Sequence, residues 1–275
     1  MALIGVTAIW GLTFVVIKNA LGSISPFYFN AIRFSLAALL LLFFSLFTKQ
    51  KYSVRLIIKG VLAGIALLAG YSFQTFGLNL TSASNAGFIT GLSVVIVPVL
   101  TLIIYKKSPP LIVWFGVSLA AAGLGIMSLK SGFTFNPGDL IILLSAVGFA
   151  LHMIIVGLYT NDFPTIPFVA VQIATVSAAS WAIGALTEKL PPALSLDMWK
   201  ALLYTALFAT FIAYLVQNWA QKFTTPTRTA LILAAEPVFT LIFATLLLKE
   251  MLTMQGAGGA ALMLCGVLLV VFAHE

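Results

Sequence analysis

The sequence has little charge and few of the residue types that perform catalysis. Only 8% of its 275 residues are charged, whereas 61% are hydrophobic. A soluble domain carries about 25% charged residues, so this chain could not cover a water-facing surface. The composition therefore excludes a soluble enzyme, a nucleic-acid-binding domain and a disordered protein.

Residues for metal and covalent chemistry are scarce as well. The chain has one cysteine, which excludes an internal disulfide framework and any metal site built from several cysteines. Two histidines and seven acidic residues leave little material for catalysis. Neither a phosphate-binding loop ending in Gly-Lys-Ser/Thr nor a His-Glu-x-x-His motif occurs in the sequence. We therefore expect no enzymatic activity, no cofactor and no metal.

What the sequence does have is long apolar runs, with a mean hydropathy of +1.14. A helix that crosses a bilayer needs about 20 mostly apolar residues. Barrel strands would alternate polar and apolar residues, and this chain lacks that alternation. The runs, separated by proline, glycine or charge, predict an all-α integral membrane protein with ten transmembrane helices at 2–21, 26–47, 55–77, 84–105, 111–129, 138–159, 166–187, 198–222, 228–248 and 254–273.

The basic residues predict the orientation of these helices. The net charge is +7, and Lys49, Lys51, Arg55 and Lys59 cluster around the loop between predicted helices 2 and 3. Cytoplasmic loops carry an excess of lysine and arginine. We therefore expect a multi-pass protein of the cell (inner) membrane with both termini in the cytoplasm. Its expected surroundings are the lipid bilayer, with no nucleic acid as partner.

An internal repeat relates the two halves of the chain. Residues 81–86 (TSASNA) align with residues 224–229 (TTPTRT), and the same offset places Lys107 on Glu250. The predicted domains are a first five-helix repeat over 1–131 and a second over 132–275. Because each half contains an odd number of helices, the second half would be inserted upside down, as in many secondary transporters.

Several motifs resemble those of one known family. Three segments resemble motifs of the drug/metabolite transporter superfamily, in its ten-helix EamA-type branch. They are residues 10–18 (WGLTFVVIK), residues 217–223 (QNWAQKF) with 225–228 (TPTR), and residues 236–239 (EPVF) with 248–250 (LKE). The order and spacing of these motifs cover essentially the whole chain. One departure is that Ser93 occupies the first-half position that matches Glu236.

The resemblance implies a basket in which helices 1, 3, 4, 6, 8 and 9 surround a central cavity. It also implies transport of small polar or amphipathic metabolites, often outward. Polar groups inside a membrane should face protein or water, and those six helices each carry a stripe of aromatic and hydrogen-bonding residues. The predicted substrate-binding residues are Trp10, Phe14, Tyr71, Gln74, Asn85, Phe88, His152, Tyr214, Gln217 and Asn218.

Each of these residues has a structural alternative. Aromatic stripes also pack helices together, and amides also tie helices to each other. His152 would either bind substrate or relay a proton, or else bond a neighbouring helix as a neutral side chain. Glu236 would either couple transport to protons or fill a structural role beside Pro237. Arg33 is predicted to be structural, because helix 2 lies outside the expected ring.

The sequence thus predicts a secondary transporter, and an exporter in particular, that moves a small metabolite by alternating access. Amino acids and related amphipathic compounds are the expected cargo, and the expected assembly is a monomer or a weak homodimer. The alternative is a flippase or a carrier for lipid-linked or nucleotide-sugar substrates, whose cavity could look the same. Substrate chemistry would separate the two.

Overall fold

The computed structural model describes residues 2–20, 24–48, 50–81, 83–106, 108–128, 137–191, 193–248 and 253–272. At 14–15, 18–20, 83–85, 127–128, 244 and 247–248 the backbone alone is described. All regular secondary structure within these ranges is helical. It forms the ten predicted helices, which we number α1 to α10 in chain order.

The first five helices lie close to their predicted positions. They are α1 (Ala2–Ala20), α2 (Pro26–Thr48), α3 (Val54–Leu80), α4 (Ala83–Gly91 and Ser93–Tyr105) and α5 (Leu111–Ser128). Ser53 accepts a hydrogen bond from the Leu56 amide, which fixes the start of α3. The start of α2 is fixed from outside its own sequence, because the Glu188 carboxylate accepts the Phe27 and Tyr28 amides at 3.0–3.1 Å.

The last five helices complete the fold. They are α6 (Pro137–Tyr159), α7 (Thr165–Thr187), α8 (Leu196–Ala206, a π-helical segment Leu207–Ile212, and Ala213–Ala220), α9 (Pro226–Leu233 and Glu236–Leu248) and α10 (Met254–Phe272). Ser195 and Thr225 cap α8 and α9 by accepting amide hydrogen bonds three residues on.

The outer surface of the protein suits a membrane. Leu46 and Phe47 on α2 are 77% and 70% exposed, and large apolar side chains on other helices face outward in the same way. Eight helical stretches within the described residues are long and apolar enough to cross a bilayer. The described parts of α1 and α5 contain shorter apolar stretches, Ala2–Thr13 and Leu111–Ile126. Ten helices of this kind are the architecture that the apolar runs predicted.

Two helices differ from the predicted continuous spans because each is interrupted near its middle. In α4, the Leu92 amide bonds Ile89 O at 3.1 Å and the Val95 amide bonds Leu92 O at 2.9 Å. In α9, the Ala235 amide bonds Ile232 O and the Val238 amide bonds Ala235 O. These three-residue bonds replace the four-residue bonds of an α-helix. The break in α9 follows from Pro237, whose nitrogen cannot donate to Leu233 O.

Glycines let several helices touch backbone to backbone. A Cβ atom added to Gly148 on α6 would lie 2.5 Å from the Gly70 nitrogen and 2.9 Å from its Cα on α3. A Cβ added to Gly123 on α5 would lie 2.5 Å from the carbonyl oxygen of Gly259 on α10. Small residues permit this close approach, and dispersion contacts between backbones then hold the helices together in lipid.

We expect the Gly148→Ala variant to be less stable than the wild type. The added methyl group meets the backbone of α3, which cannot rotate away as a side chain can. Overpacking of this kind costs about 1–3 kcal/mol, so the thermal unfolding midpoint of the purified protein in detergent should fall.

The matched control for this substitution is Gly258→Ala on the exposed face of α10, where an added Cβ has nothing within 4 Å. Its unfolding midpoint should stay at the wild-type value or rise slightly, since alanine favours helix. Equal midpoints for Gly148→Ala and Gly258→Ala would contradict the close contact between α3 and α6.

Candidate functional site

A cavity lies between the helices near the middle of their length. Its empty volume, including the part that is open to solvent, is about 790 Å³. Its walls come from α1, α2, α3, α4, α6, α8 and α9. The lining residues are Trp10, Thr13, Ile17, Arg33, Tyr71, Gln74, Thr75, Leu78, Thr90, Gly91, Ser93, Phe149, His152, Met153, Tyr214, Gln217, Leu233, Ala234 and Glu236.

The cavity brings together seven of the residues singled out from the sequence: Trp10, Tyr71, Gln74, His152, Tyr214, Gln217 and Glu236. Phe88 and Asn218 are not among its described lining residues. Phe88 packs instead against two buried apolar clusters. The side chains of Phe14 and Asn85 lie outside the described residues. Whether the seven cavity residues bind substrate stays a prediction.

Aromatic rings form much of the cavity wall. The ring centroids of Trp10 and Tyr214 are 5.5 Å apart, and Phe149 meets Tyr71 edge to face at 5.2 Å. The Tyr214 hydroxyl donates to the Tyr71 hydroxyl at 2.9 Å. The wall is therefore mostly apolar with a few fixed polar groups, which suits a ligand with an apolar body and polar ends.

His152 forms a hydrogen bond with the side-chain amide of Gln172 on α7. Its Nε2 lies 2.8 Å from Gln172 Oε1, and because that oxygen accepts, Nε2 carries the proton. Gln172 Nε2 then donates to Asn218 Oδ1 at 3.0 Å, and Asn218 Nδ2 donates to Tyr214 O. All three polar side chains are buried. His152 therefore ties α6 to α7 and lines the cavity at once, so both roles considered for it remain available.

Arg33 reaches the cavity from α2, where the sequence predicted a structural residue. Its guanidinium is fully buried. Nε donates to Thr210 Oγ1 at 2.7 Å, and Nη2 lies 3.3 Å from both Tyr71 Oη and Ala209 O. Its central carbon stands 4.9 Å from the centre of the Tyr71 ring, within cation–π range. Nη1 is buried and has no hydrogen-bond partner among the described residues.

The π-helical segment of α8 provides the acceptors that hold Arg33. A π-helix shifts the backbone bonding pattern by one residue and is frequent at functional sites. Here Ala209 O accepts both Arg33 Nη2 and Trp10 Nε1, the latter at 2.9 Å. Thr210 Oγ1 donates to Thr205 O and accepts from Arg33. The π-helical backbone therefore lies beside the cavity, where its groups accept hydrogen bonds from Arg33 and Trp10.

Glu236 begins the second segment of α9, directly after the helix break. Its side chain is only half-buried and lines the cavity. Its carboxylate has neither a hydrogen-bond nor an ion-pair partner among the described residues. Gly11 fixes the backbone at this point, because an added Cβ would lie 3.1 Å from Glu236 O and 2.8 Å from Phe239 Cβ. The backbone of Glu236 thus packs closely against α1, while its carboxylate keeps its hydrogen-bonding capacity for a ligand.

The chemistry of this site is binding, with recognition by charge, hydrogen bonds and apolar contact. Among the described residues, no group of three His, Cys, Asp or Glu side chains is placed to hold a metal ion. Sequence reasoning missed Arg33 as a cavity residue and Gln172 as the partner of His152. The sequence did show Arg33 as a charged residue within a predicted transmembrane helix. To predict it as a cavity residue, the search for polar stripes would have had to include α2 as well as the six ring helices.

We expect the Gln172→Leu variant to be destabilised. Leucine leaves the His152 N–H and the Asn218 amide oxygen buried without their partner. Loss of a buried partner costs about 1–3 kcal/mol, and a lower thermal unfolding midpoint in detergent would show it.

The Gln74→Leu variant provides the comparison for Gln172→Leu. Gln74 is half-buried, and its single described bond, to Thr90 Oγ1, is long at 3.3 Å. Its substitution should leave the midpoint nearly unchanged. If both variants lost the same stability, the contact from His152 through Gln172 to Asn218 would not be a specific tie between helices.

Relatives of this chain are membrane transporters. An uncharacterized transporter of Archaeoglobus fulgidus is 38% identical over 267 residues, covering 96% of this chain and 83% of the relative. The uncharacterized transporter YyaM of Bacillus subtilis is 28% identical, with coverage of 97% and 91%. The uncharacterized inner membrane transporter YedA of Escherichia coli is 27% identical over 79% of this chain and 74% of its own length.

The fold and the sequence agree with these relatives. A crystal structure with a TM-score of 0.82 and 18% identity covers 98% of this chain and 95% of its own, which shows a shared fold. The profile of the EamA-like transporter family matches twice, at residues 1–129 and 136–272. These two matches and the 38% identical relative show that the chain belongs to the EamA-like transporter family, as a membrane transporter and not an enzyme.

Proposed function

We propose that this transporter exports a small amphipathic metabolite, an amino acid or a related compound, by alternating access. The observation that carries the proposal is the cavity, which lies at mid-length of its helices, is walled by aromatic rings and contains a few fixed polar groups. Small-molecule sites have this composition. A flippase for a lipid carrier would instead need a route for long acyl chains beside the head group.

The two interrupted helices support alternating access between two inverted five-helix halves. The hydrogen bonds at the break in α4, Leu92 to Ile89 and Val95 to Leu92, recur in α9 as Ala235 to Ile232 and Val238 to Ala235. The offset between them is the one that aligns Lys107 with Glu250. Secondary transporters place their substrate sites at discontinuous helices in equivalent positions of the two halves. Both breaks here border the cavity.

Contacts between loops support the proposed orientation. Arg55, at the start of α3, bonds Asp162 in the loop between α6 and α7 at 3.0 Å. Lys222, at the end of α8, donates to Phe163 O in the same loop. The basic loops that the positive-inside rule assigns to the cytoplasm therefore meet on one face of the protein.

Cysteine labelling tests the orientation. In a Cys265→Ala background, Ser108→Cys should be protected from a membrane-impermeant thiol reagent added to whole cells or spheroplasts. Ala193→Cys should be labelled, since it lies in the loop between α7 and α8. Both positions are exposed in the structure, so they form a matched pair. The opposite labelling pattern would invert the proposed orientation.

Counterflow tests the transport function. Proteoliposomes preloaded with single metabolites from a broad panel should accumulate the matching labelled compound from outside. The Gln74→Leu variant should exchange about fivefold more slowly at low substrate concentration, the effect of one lost hydrogen bond. Leu46→Ala, on the lipid-facing surface, should match the wild type. Folded protein that exchanges nothing in the panel but moves lipid-linked sugars would favour the flippase.

A further inference from the structure

The cavity holds an arginine and a glutamate that form no ion pair with each other. Arg33 and Glu236 both line it. The ion pairs within 4.0 Å among the described residues are Arg55 with Asp162 and Lys200 with Asp197, both on exposed surfaces. The cavity wall therefore contains a guanidinium and a carboxyl group as two separate groups.

The Arg33 guanidinium is oriented by hydrogen bonds from two of its nitrogens, and its third nitrogen lacks an acceptor among the described residues. Nε and Nη2 are held by Thr210, Ala209 O and Tyr71, whereas the buried Nη1 has no partner within the part of the chain that the structure describes. A buried charged donor without an acceptor is expensive, and such groups are rare in native structures. An anionic group bound in the cavity beside Arg33 would supply the missing acceptor.

Glu236 lacks, in the described part of the chain, a partner of the opposite kind, because its carboxylate can accept hydrogen bonds and pair with a cation. Its carboxylate is half-buried in the cavity wall with no cation and no donor among the described residues. Trp10 and Tyr214 line the same cavity, and aromatic rings attract cations. An ammonium group bound here would supply the donors and the charge that this carboxylate lacks.

We propose that Arg33 and Glu236 form the two poles of a site for zwitterionic cargo, with the cargo's carboxylate on Arg33 and its ammonium on Glu236. The inference rests on the proposed function, and it assigns the residues that recognise each end of the cargo. A cargo with one charge would leave the opposite pole buried and unpaired, which is costly in a low-dielectric site. A zwitterion with an apolar body satisfies both poles and the aromatic wall together.

Matched analogues of one ligand test the proposal. The probes are L-leucine, its amide, which lacks the carboxylate charge, and N-acetyl-L-leucine, which lacks the ammonium charge; L-phenylalanine and its two analogues form a second series. Apparent affinities come from ligand-dependent rises in the unfolding midpoint of the full chain in detergent. The wild type should bind each singly charged analogue about tenfold or more weakly than the zwitterion, since charged hydrogen bonds are lost.

Two variants should change these preferences separately. Glu236→Gln should reduce discrimination against the N-acetyl compound and leave discrimination against the amide intact. Arg33→Gln should do the reverse. A merely structural role would alter all affinities alike. Arg55→Gln is the control, because its guanidinium is exposed and bonds Asp162 outside the cavity, so both preferences should stay as in the wild type.

The outcomes separate this inference from the proposed function. If counterflow proceeds but zwitterion and amide bind equally, the role of Arg33 is overturned while transport stands; equal binding of the N-acetyl compound overturns that of Glu236. A counterflow cargo that lacks either charge overturns the whole site. Absence of exchange across the panel is a failure of the proposed function itself. If Arg33→Gln does not fold, the wild-type analogue series still decides the carboxylate pole.

Discussion

A polar group inside a bilayer must find its partner within the protein, and this requirement shapes most of the structure. Backbone amides and carbonyls are satisfied by helices, which is why all described regular structure is helical. Side chains follow the same rule. Threonines such as Thr7 and Thr13 bond the carbonyl four residues earlier on their own helix, and His152, Gln172 and Asn218 satisfy one another across three helices. Two of the described buried atoms without a partner, Arg33 Nη1 and Gln217 Oε1, line the cavity, and both helix breaks border it.

This distribution separates the scaffold of the fold from the groups that line its cavity. The apolar outer surface and the glycine contacts between α3 and α6 and between α5 and α10 form the scaffold, which depends on size and not on cargo chemistry. The groups that line the cavity come from seven helices, with few from each. Changing one of them alters a single contact and leaves the scaffold as it is. Membership of the family therefore identifies transport and does not identify the cargo, because one fold can serve different functions.

The sequence alone predicted the ten helices well because helix length and apolar composition are local properties. Both can be read from each of the ten apolar runs separately. The six cavity helices followed from the family resemblance, and polar stripes on them found residues such as Tyr71 and Gln217. The sequence analysis missed features that depend on contacts with residues far away in the chain. Arg33 was predicted to be structural because α2 lies outside the ring of helices that the family resemblance implies. Two of its acceptors, Thr210 Oγ1 and Ala209 O, lie in a π-helical segment of α8 that no local signal marks. The break in α9 follows from Pro237, but the equivalent break in α4 lies six residues before Pro98 and could not be placed from its proline.

The pairing of α2 with α7 bears on how the protein can move. The Ser35 and Ser177 hydroxyls are 2.8 Å apart, Trp181 Nε1 donates to Ser35 Oγ at 2.9 Å, and the Glu188 carboxylate holds the first amides of α2. These bonds couple α2 to α7, and we expect the two helices to move as one unit. The bonds of Arg33 to Thr210 Oγ1 and Ala209 O join this unit to α8, so we expect any movement of α8 away from α2 to break them.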